Sequence, residues 1–128
     1  MRSKLQDAPF SVVLPATDIK RAHDFYQQVL GLEVEDAPAS GGFFVVAGKG
    51  TRALVYETTA PHGQATAAGF VVDDIDAAVA DLRSRGVDFQ DYDMPQMKTV
   101  NGIADLGPMG RAAWFMDSEG NTINIAQM

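Results

Sequence analysis

The sequence predicts an α+β protein built from two copies of one β-α-β-β-β unit. The main observation is a phrase that recurs. Val12 to Val34 and Ala67 to Phe89 each run from an apolar strand through Asp-Ile into an amphipathic helix, then Gly and a second apolar run. Asp18 matches Asp74, Ile19 matches Ile75, Ala22 matches Ala78, and Gly31 matches Gly86 after a one-residue slip. Each copy keeps apolar residues at helical spacing inside it and short strand-like runs around it. Two packed copies leave a cleft between them, a natural place for a ligand.

The elements follow in order. Phe10 to Pro15 reads as a strand. Thr17 or Asp18 then caps a helix by accepting from free amides of its first turn. Ile19, Ala22, Phe25, Tyr26 and Val29 form the buried stripe of that helix, and Gly31 ends it. Leu32 to Ala37, Gly42 to Ala47 and Arg52 to Thr58 read as three strands, divided by Pro38-Ala39-Ser40-Gly41 and the turn Gly48-Lys49-Gly50. This first module spans about 8–59, and residues 60–65, around Pro61-His62-Gly63, form the linker. The second module spans 66–128. Ala67 to Val72 is its first strand, and Asp73 or Asp74 caps a helix with a stripe of Ile75, Ala78, Val79 and Leu82, ended by Gly86. Val87 to Gln90, Arg111 to Met116 and Thr122 to Ala126 are the remaining strands, the last two joined by the turn Asp117-Ser118-Glu119-Gly120-Asn121. An insertion from about Asp91 to Gly110, rich in Met, Gly and Pro, breaks the repeat. It reads as an irregular loop, either a flap over a ligand or a surface loop packed on the sheet rim.

Composition narrows the function classes. With 128 residues the chain has room for one domain with a core. A hydrophobic fraction of 46% and a charged fraction of 21% are those of a soluble globular protein, and no apolar run has the length of a membrane span. The net charge of −7, with scattered basic residues, argues against a nucleic-acid partner. There is no cysteine, which excludes disulfides, thiolate ligands and a Cys nucleophile. A cytoplasmic address without membrane association is the default expectation. The sequence carries no phosphate-binding Gly-rich loop and no nucleophile elbow.

Three motifs carry a resemblance to a known superfamily. They are Pro15-Ala16-Thr17-Asp18-Ile19 with Phe25-Tyr26 and Leu30-Gly31-Leu32, Val72-Asp73-Asp74-Ile75-Asp76-Ala77-Ala78, and Trp114-Phe115-Met116-Asp117-Ser118-Glu119-Gly120-Asn121. In type, order and duplication these resemble the vicinal oxygen chelate superfamily of glyoxalases, dioxygenases and bleomycin-resistance proteins. The resemblance implies paired β-α-β-β-β modules whose mixed sheets curl around a cleft, commonly in a homodimer. It also implies a metal in many members, with ligands on the first and last strands of each module. Counting from the helix-opening aspartates, the expected His positions hold Ser11 and Ala67, and the expected Glu position holds Asn124. The fourth ligand falls on the Arg52–Glu57 strand, at Leu54, Tyr56 or Glu57. A divalent metal site takes about three His or carboxylate donors. This set cannot supply them, so no metal and no cofactor are expected.

The same positions describe an apolar cleft. Strand alternation groups Ser11 with Val13, Ala67 with Gly69 and Val71, and Asn124 with Thr122 and Ala126. Small side chains there leave room for a bulky ligand. Trp114 and Met116 share a face, taken as the cleft face, and Tyr56 shares one with Leu54, with Phe44 as a further wall. The candidate ligand-binding residues are therefore Ser11, Phe44, Leu54, Tyr56, Ala67, Gly69, Trp114, Met116 and Asn124. Aromatic walls with a few amides and hydroxyls suit a planar, partly apolar molecule. The function expected is metal-independent small-molecule binding of the bleomycin-resistance type, in a homodimer. The alternative is a glyoxalase- or dioxygenase-like lyase or isomerase with a non-standard site, using Glu57, Asp105 or Asp117 as general base.

Overall fold

Ten strands fall into two open sheets, one per module, in a computed structural model that describes residues 4–7, 11–38, 41–59, 62–95 and 97–128. The first sheet holds β1 (Val12–Ala16), β2 (Glu33–Ala37), β3 (Gly42–Val46) and β4 (Arg52–Glu57) in the order β1-β4-β3-β2. The second holds β5 (Thr66–Val71), β6 (Asp93–Met94), β7 (Met97–Val100), β8 (Ile103–Asp105), β9 (Arg111–Met116) and β10 (Thr122–Gln127) in the order β5-β10-β9-β8-β7-β6. Both are mixed, since β1 pairs β4 and β5 pairs β10 in parallel while the rest are antiparallel. They are two separate open sheets, not one curled wall. Phe10, Ala39, Ser40, Ala60 and Pro61, read above as strand, turn and linker, lie outside the described residues.

The repeat is visible in the caps of α1 (Ile19–Asp24) and α2 (Ile75–Ser84). Asp18 accepts from the Arg21 amide at 3.0 Å, and Asp74 from the Ala77 amide at 3.1 Å. The one-residue slip also has a structural form. Thirteen positions separate Asp18 from Gly31 and twelve separate Asp74 from Gly86. The first helix absorbs the extra residue as a π turn over Phe25–Val29, where the Leu30 amide donates to the Phe25 carbonyl at 2.9 Å. Inserting one residue into a helix produces such a bulge. The expected stripe runs on through it: Ala22 on α1 and Tyr26 on the π turn are buried, and Ile19, Phe25 and Val29 pack against the same core.

Each helix covers one face of its own sheet. Leu14, Phe43, Val45 and Val55 pack with Ala22, Tyr26 and Leu30. Phe115, Ile123 and Ile125 pack with Ile75 and Val79, and all belong to one continuous core. His23 packs its ring at 71° to Phe43, with centroids 5.1 Å apart.

Two expectations for the second module are corrected. Val87 to Gln90 forms no strand: Phe89 makes one bridge to Phe115, and the Gln90 amide donates to the Trp114 carbonyl at 2.8 Å. The edge position beside β9 is taken by β8, which comes from the insertion. The presumed loop is thus a meander, β6-β7-β8, that widens the sheet. Its tight corner is Asn101-Gly102, with φ of 53° and 80°, between the paired residues Val100 and Ile103. Positive φ at both positions is the twist-matched two-residue hairpin turn that Asn-Gly favours.

A polar seam joins the modules. The turn after β9 reaches the start of α1, where Glu119 accepts from the amides of Thr17 and Asp18 at 3.0 and 2.9 Å. Arg21 donates to the same carboxylate from Nε at 2.7 Å and Nη2 at 3.2 Å. Beside it, Asp117 accepts from the Tyr26 hydroxyl at 2.6 Å and the Asn121 side chain at 2.8 Å, while Asn121 also donates to the Pro15 carbonyl at 3.0 Å.

Candidate functional site

The faces turned away from the helices carry the candidate residues. On β1 the buried side chains are Leu14 and Ala16, which leaves Val13 and Pro15 on the opposite face; Ser11, one residue before the strand, is exposed. Pairing puts Val13 beside Leu54 and Pro15 beside Tyr56, so Leu54 and Tyr56 share this face. Phe44 lies across from Leu54 in the same row. Glu57, the one carboxylate considered on this strand, alternates to the other side with Val55, and is exposed.

In the second sheet, Gly69 pairs with Asn124 and Asn124 with Trp114, while Thr122 pairs with Met116. The helix side of the same strands holds the buried Phe115, Ile123 and Ile125. Trp114 is half-buried, with Tyr92 edge-on to it at 5.6 Å and 89°. Asn124 folds over Gly69: a Cβ on Gly69 would stand 1.7 Å from Asn124 Oδ1. Only glycine admits that approach. Ala67 and Gly69 are exposed.

The structure thus aligns Phe44, Leu54 and Tyr56 on one sheet face and Gly69, Trp114, Met116 and Asn124 on the other. It does not enclose them together in the single chain. Val13, Val71 and Met116 are 53%, 70% and 47% exposed. Two cavities, of about 530 and 410 Å³, lie on the helix sides of the sheets, and none of the nine candidate residues lines either.

Two neighbours of these residues were not foreseen. Arg52 lies 4.0 Å over the Phe44 ring and 3.7 Å from Glu35. Its position two before Leu54 was the available signal, since alternation puts both on one face. Tyr92 belongs to the insertion and nothing in the repeat pointed to it.

A metal does not fit the positions where the superfamily would hold one. They carry a hydroxyl, a methyl and an amide already folded onto Gly69. Among the described residues no group of three His, Asp or Glu is placed to hold an ion.

The three carboxylates considered as bases are placed or occupied otherwise. Asp117 Oδ1 accepts from the amides of Glu119 and Asn121 at 2.9 and 2.8 Å, and Oδ2 takes Tyr26 and Asn121. Asp105 accepts from the Gly107 amide and pairs across from Arg111, on the helix side. The strongest electrostatic shifts lie in the seam. Burial opposes charge on Glu119, but Arg21, the Asp18 amide and the Ser118 hydroxyl outweigh it and hold its pKa at about 2. Burial, with the Asp117 charge and hydrogen bond, pushes the Tyr26 hydroxyl far up and keeps it a donor.

Among curated proteins none matches the sequence. The solved structure of TnmS3, an antibiotic binding protein from Streptomyces sp. CB03234, is 26% identical over 91% of this chain and 92% of that one, with a TM-score of 0.63. A glyoxalase/bleomycin resistance protein from the same organism is 26% identical over 91% and 97%, at 0.61. Lactoylglutathione lyase from Agrobacterium tumefaciens, 17% identical over 94% and 93% at 0.64, shares the fold. The model of the Glyoxalase/Bleomycin resistance protein/Dioxygenase superfamily matches residues 9–125, nearly the whole chain, and the protein belongs to that superfamily.

Proposed function

We propose that the protein binds a small, planar, partly apolar molecule without a metal, as a homodimer in which a second chain covers the open sheet faces. One observation carries this reading. The positions where metal ligands would stand hold Ser11, Ala67 and Asn124, and beside Asn124 stands the half-buried Trp114, with the exposed Met116 further along the same strand face. A surface of that kind holds a ring by stacking and burial and offers no His or carboxylate to activate a water. The likeness to an antibiotic-binding protein at 26% identity supports binding over turnover. The cytoplasm is proposed as its compartment, since a cysteine-free chain asks for no oxidising one.

Trp114 is the only tryptophan, which makes the test direct. Titration of the whole protein with planar aromatic antibiotics is expected to quench or shift its emission saturably, and mass spectrometry to recover each compound unchanged. Trp114→Ala is expected to weaken binding about tenfold, and Tyr56→Phe less. Recovery of a converted product, or a chelator-reversible rise in melting temperature with Zn²⁺, Ni²⁺, Mn²⁺ or Fe²⁺, would overturn the reading.

A further inference from the structure

The insertion that breaks the repeat builds a surface with no counterpart in the first module. A six-stranded sheet is about 24 Å wide at roughly 4.8 Å per strand, whereas a helix with its side chains is about 10–12 Å across. The single helix α2 packs on β9 and β10. On the helix side of β7 and β8, beside α2, lies the cavity of about 530 Å³.

This cavity is framed at two points. Arg83, near the end of α2, donates to the Asn101 carbonyl at the hairpin corner at 2.6 Å. Asp76, in its first turn, takes Arg111 through both terminal nitrogens, at 3.3 and 2.8 Å. Seven residues of helix separate these ties, about 10 Å at 1.5 Å per residue. Between them Val100 and Ile103 provide apolar surface and Met94 and Met97 a wall. Val100 is 68% exposed and Met94 45%. Thioether side chains adapt to ligands of varied shape.

The polar end of the cavity is acidic. Arg111 is engaged by Asp76 and stands across from Asp105 on β8, two carboxylates beside one guanidinium. Lys98 stands opposite Asp93 in the β6–β7 pair. The end near Arg111 is therefore short of positive charge, in a chain whose net charge is −7.

We propose that this cavity is a second ligand site, separate from the Trp114 face, and that it takes an amphipathic monocation. The apolar body lies over Val100 and Ile103, and a protonated amine is directed at Asp105. The volume is that of a small-molecule site and too small for a folded partner. An anion is disfavoured, because each nearby cation already has a neighbour to serve: Arg111 is paired with Asp76, Arg83 donates to the Asn101 carbonyl, and Lys98 stands opposite Asp93.

The test uses the full chain, labelled for amide NMR, and three probes of one shape: 2-naphthylmethylamine, 2-naphthylmethanol and 2-naphthoate. The amine is expected to give saturable shifts at Val100, Ile103 and Asp105, to bind about tenfold tighter than the alcohol, and to leave naphthoate weakest. Asp105→Asn keeps an acceptor for the Gly107 amide, and is expected to bring amine and alcohol within about twofold of each other. Val100→Arg, at an exposed strand position, is expected to abolish amine binding with an unchanged melting temperature. The proposal is overturned by shifts confined to the Trp114 and Asn124 face, by no saturable shift, by equal binding of the three probes, or by variants that bind as the parent does.

Discussion

Glu119 shows how much one side chain can decide. Its side chain is 1% exposed, it caps a helix of the other module, and it carries Arg21, whose own side chain is 54% exposed. Its pKa is lowered from 4.5 to about 2 by these contacts, so its contribution is present above pH 4.5 and is lost as pH falls through 2. Glu119→Gln is expected to cost about 2 kcal/mol, or roughly 6–10 °C in melting temperature. The variant should also flatten the acid limb of stability between pH 4.5 and 2; a parent-like acid limb in urea unfolding would contradict the assignment. The adjacent pair Trp114 and Phe115 makes a second test. Phe115 is fully buried, so Phe115→Ala is expected to cost about 3–5 kcal/mol. Trp114 stands on the outer face with one edge-on aromatic neighbour, so Trp114→Ala should cost about 1–2 kcal/mol and still fold. A larger loss for Trp114→Ala than for Phe115→Ala in chemical denaturation would mean the two faces are reversed.

At the level of elements, the helices and the unbroken strands were legible because their signals are local. Asp18 and Asp74 cap where a side-chain oxygen before an apolar stripe predicts a cap, each being one of two residues the pattern offered; the one-residue slip was visible, but its form as a π turn was not. The meander was not legible. Its strands are two to four residues long, below the length at which alternation can be counted, and what makes them strands is pairing to β9. Thr99 and Asp91 then secure it: the Thr99 hydroxyl donates to Asp91 at 2.9 Å, and the Gly102 amide donates to the same oxygen at 3.0 Å. Gly102 has a φ of 80°, and a Cβ there would stand 2.9 Å from Arg83 Nη2 and 3.0 Å from the Phe89 Cβ. Gly102→Ala is expected to cost about 1–2 kcal/mol. Amide exchange should quicken in β7 and β8 while β10 keeps its protection; a uniform change would show that the meander is not a separate cooperative unit.

At the scale of the molecule, the single chain leaves apolar side chains on both candidate faces in contact with water. Val13, Val71 and Met116 are each about half exposed or more. Surface of this kind is usually covered by a partner or a ligand. Sedimentation at micromolar concentration is expected to give twice the 13.7 kDa chain mass. A monomer mass across that range would remove the homodimer from the proposed function and leave the ligand as the cover.

The sequence by itself determined the repeat, the superfamily, the two helices and the residue types at Ser11, Ala67 and Asn124. Each of these rests on residue type and spacing along the chain. Only the tertiary structure decided that Trp114 lies in one row with Asn124 and Gly69, because register depends on which strand is the neighbour. Only the structure, too, showed the turn at Glu119 locking onto α1, more than a hundred residues upstream at Thr17. A buried carboxylate needs several donors at once, and those donors come from chain segments that no local pattern connects.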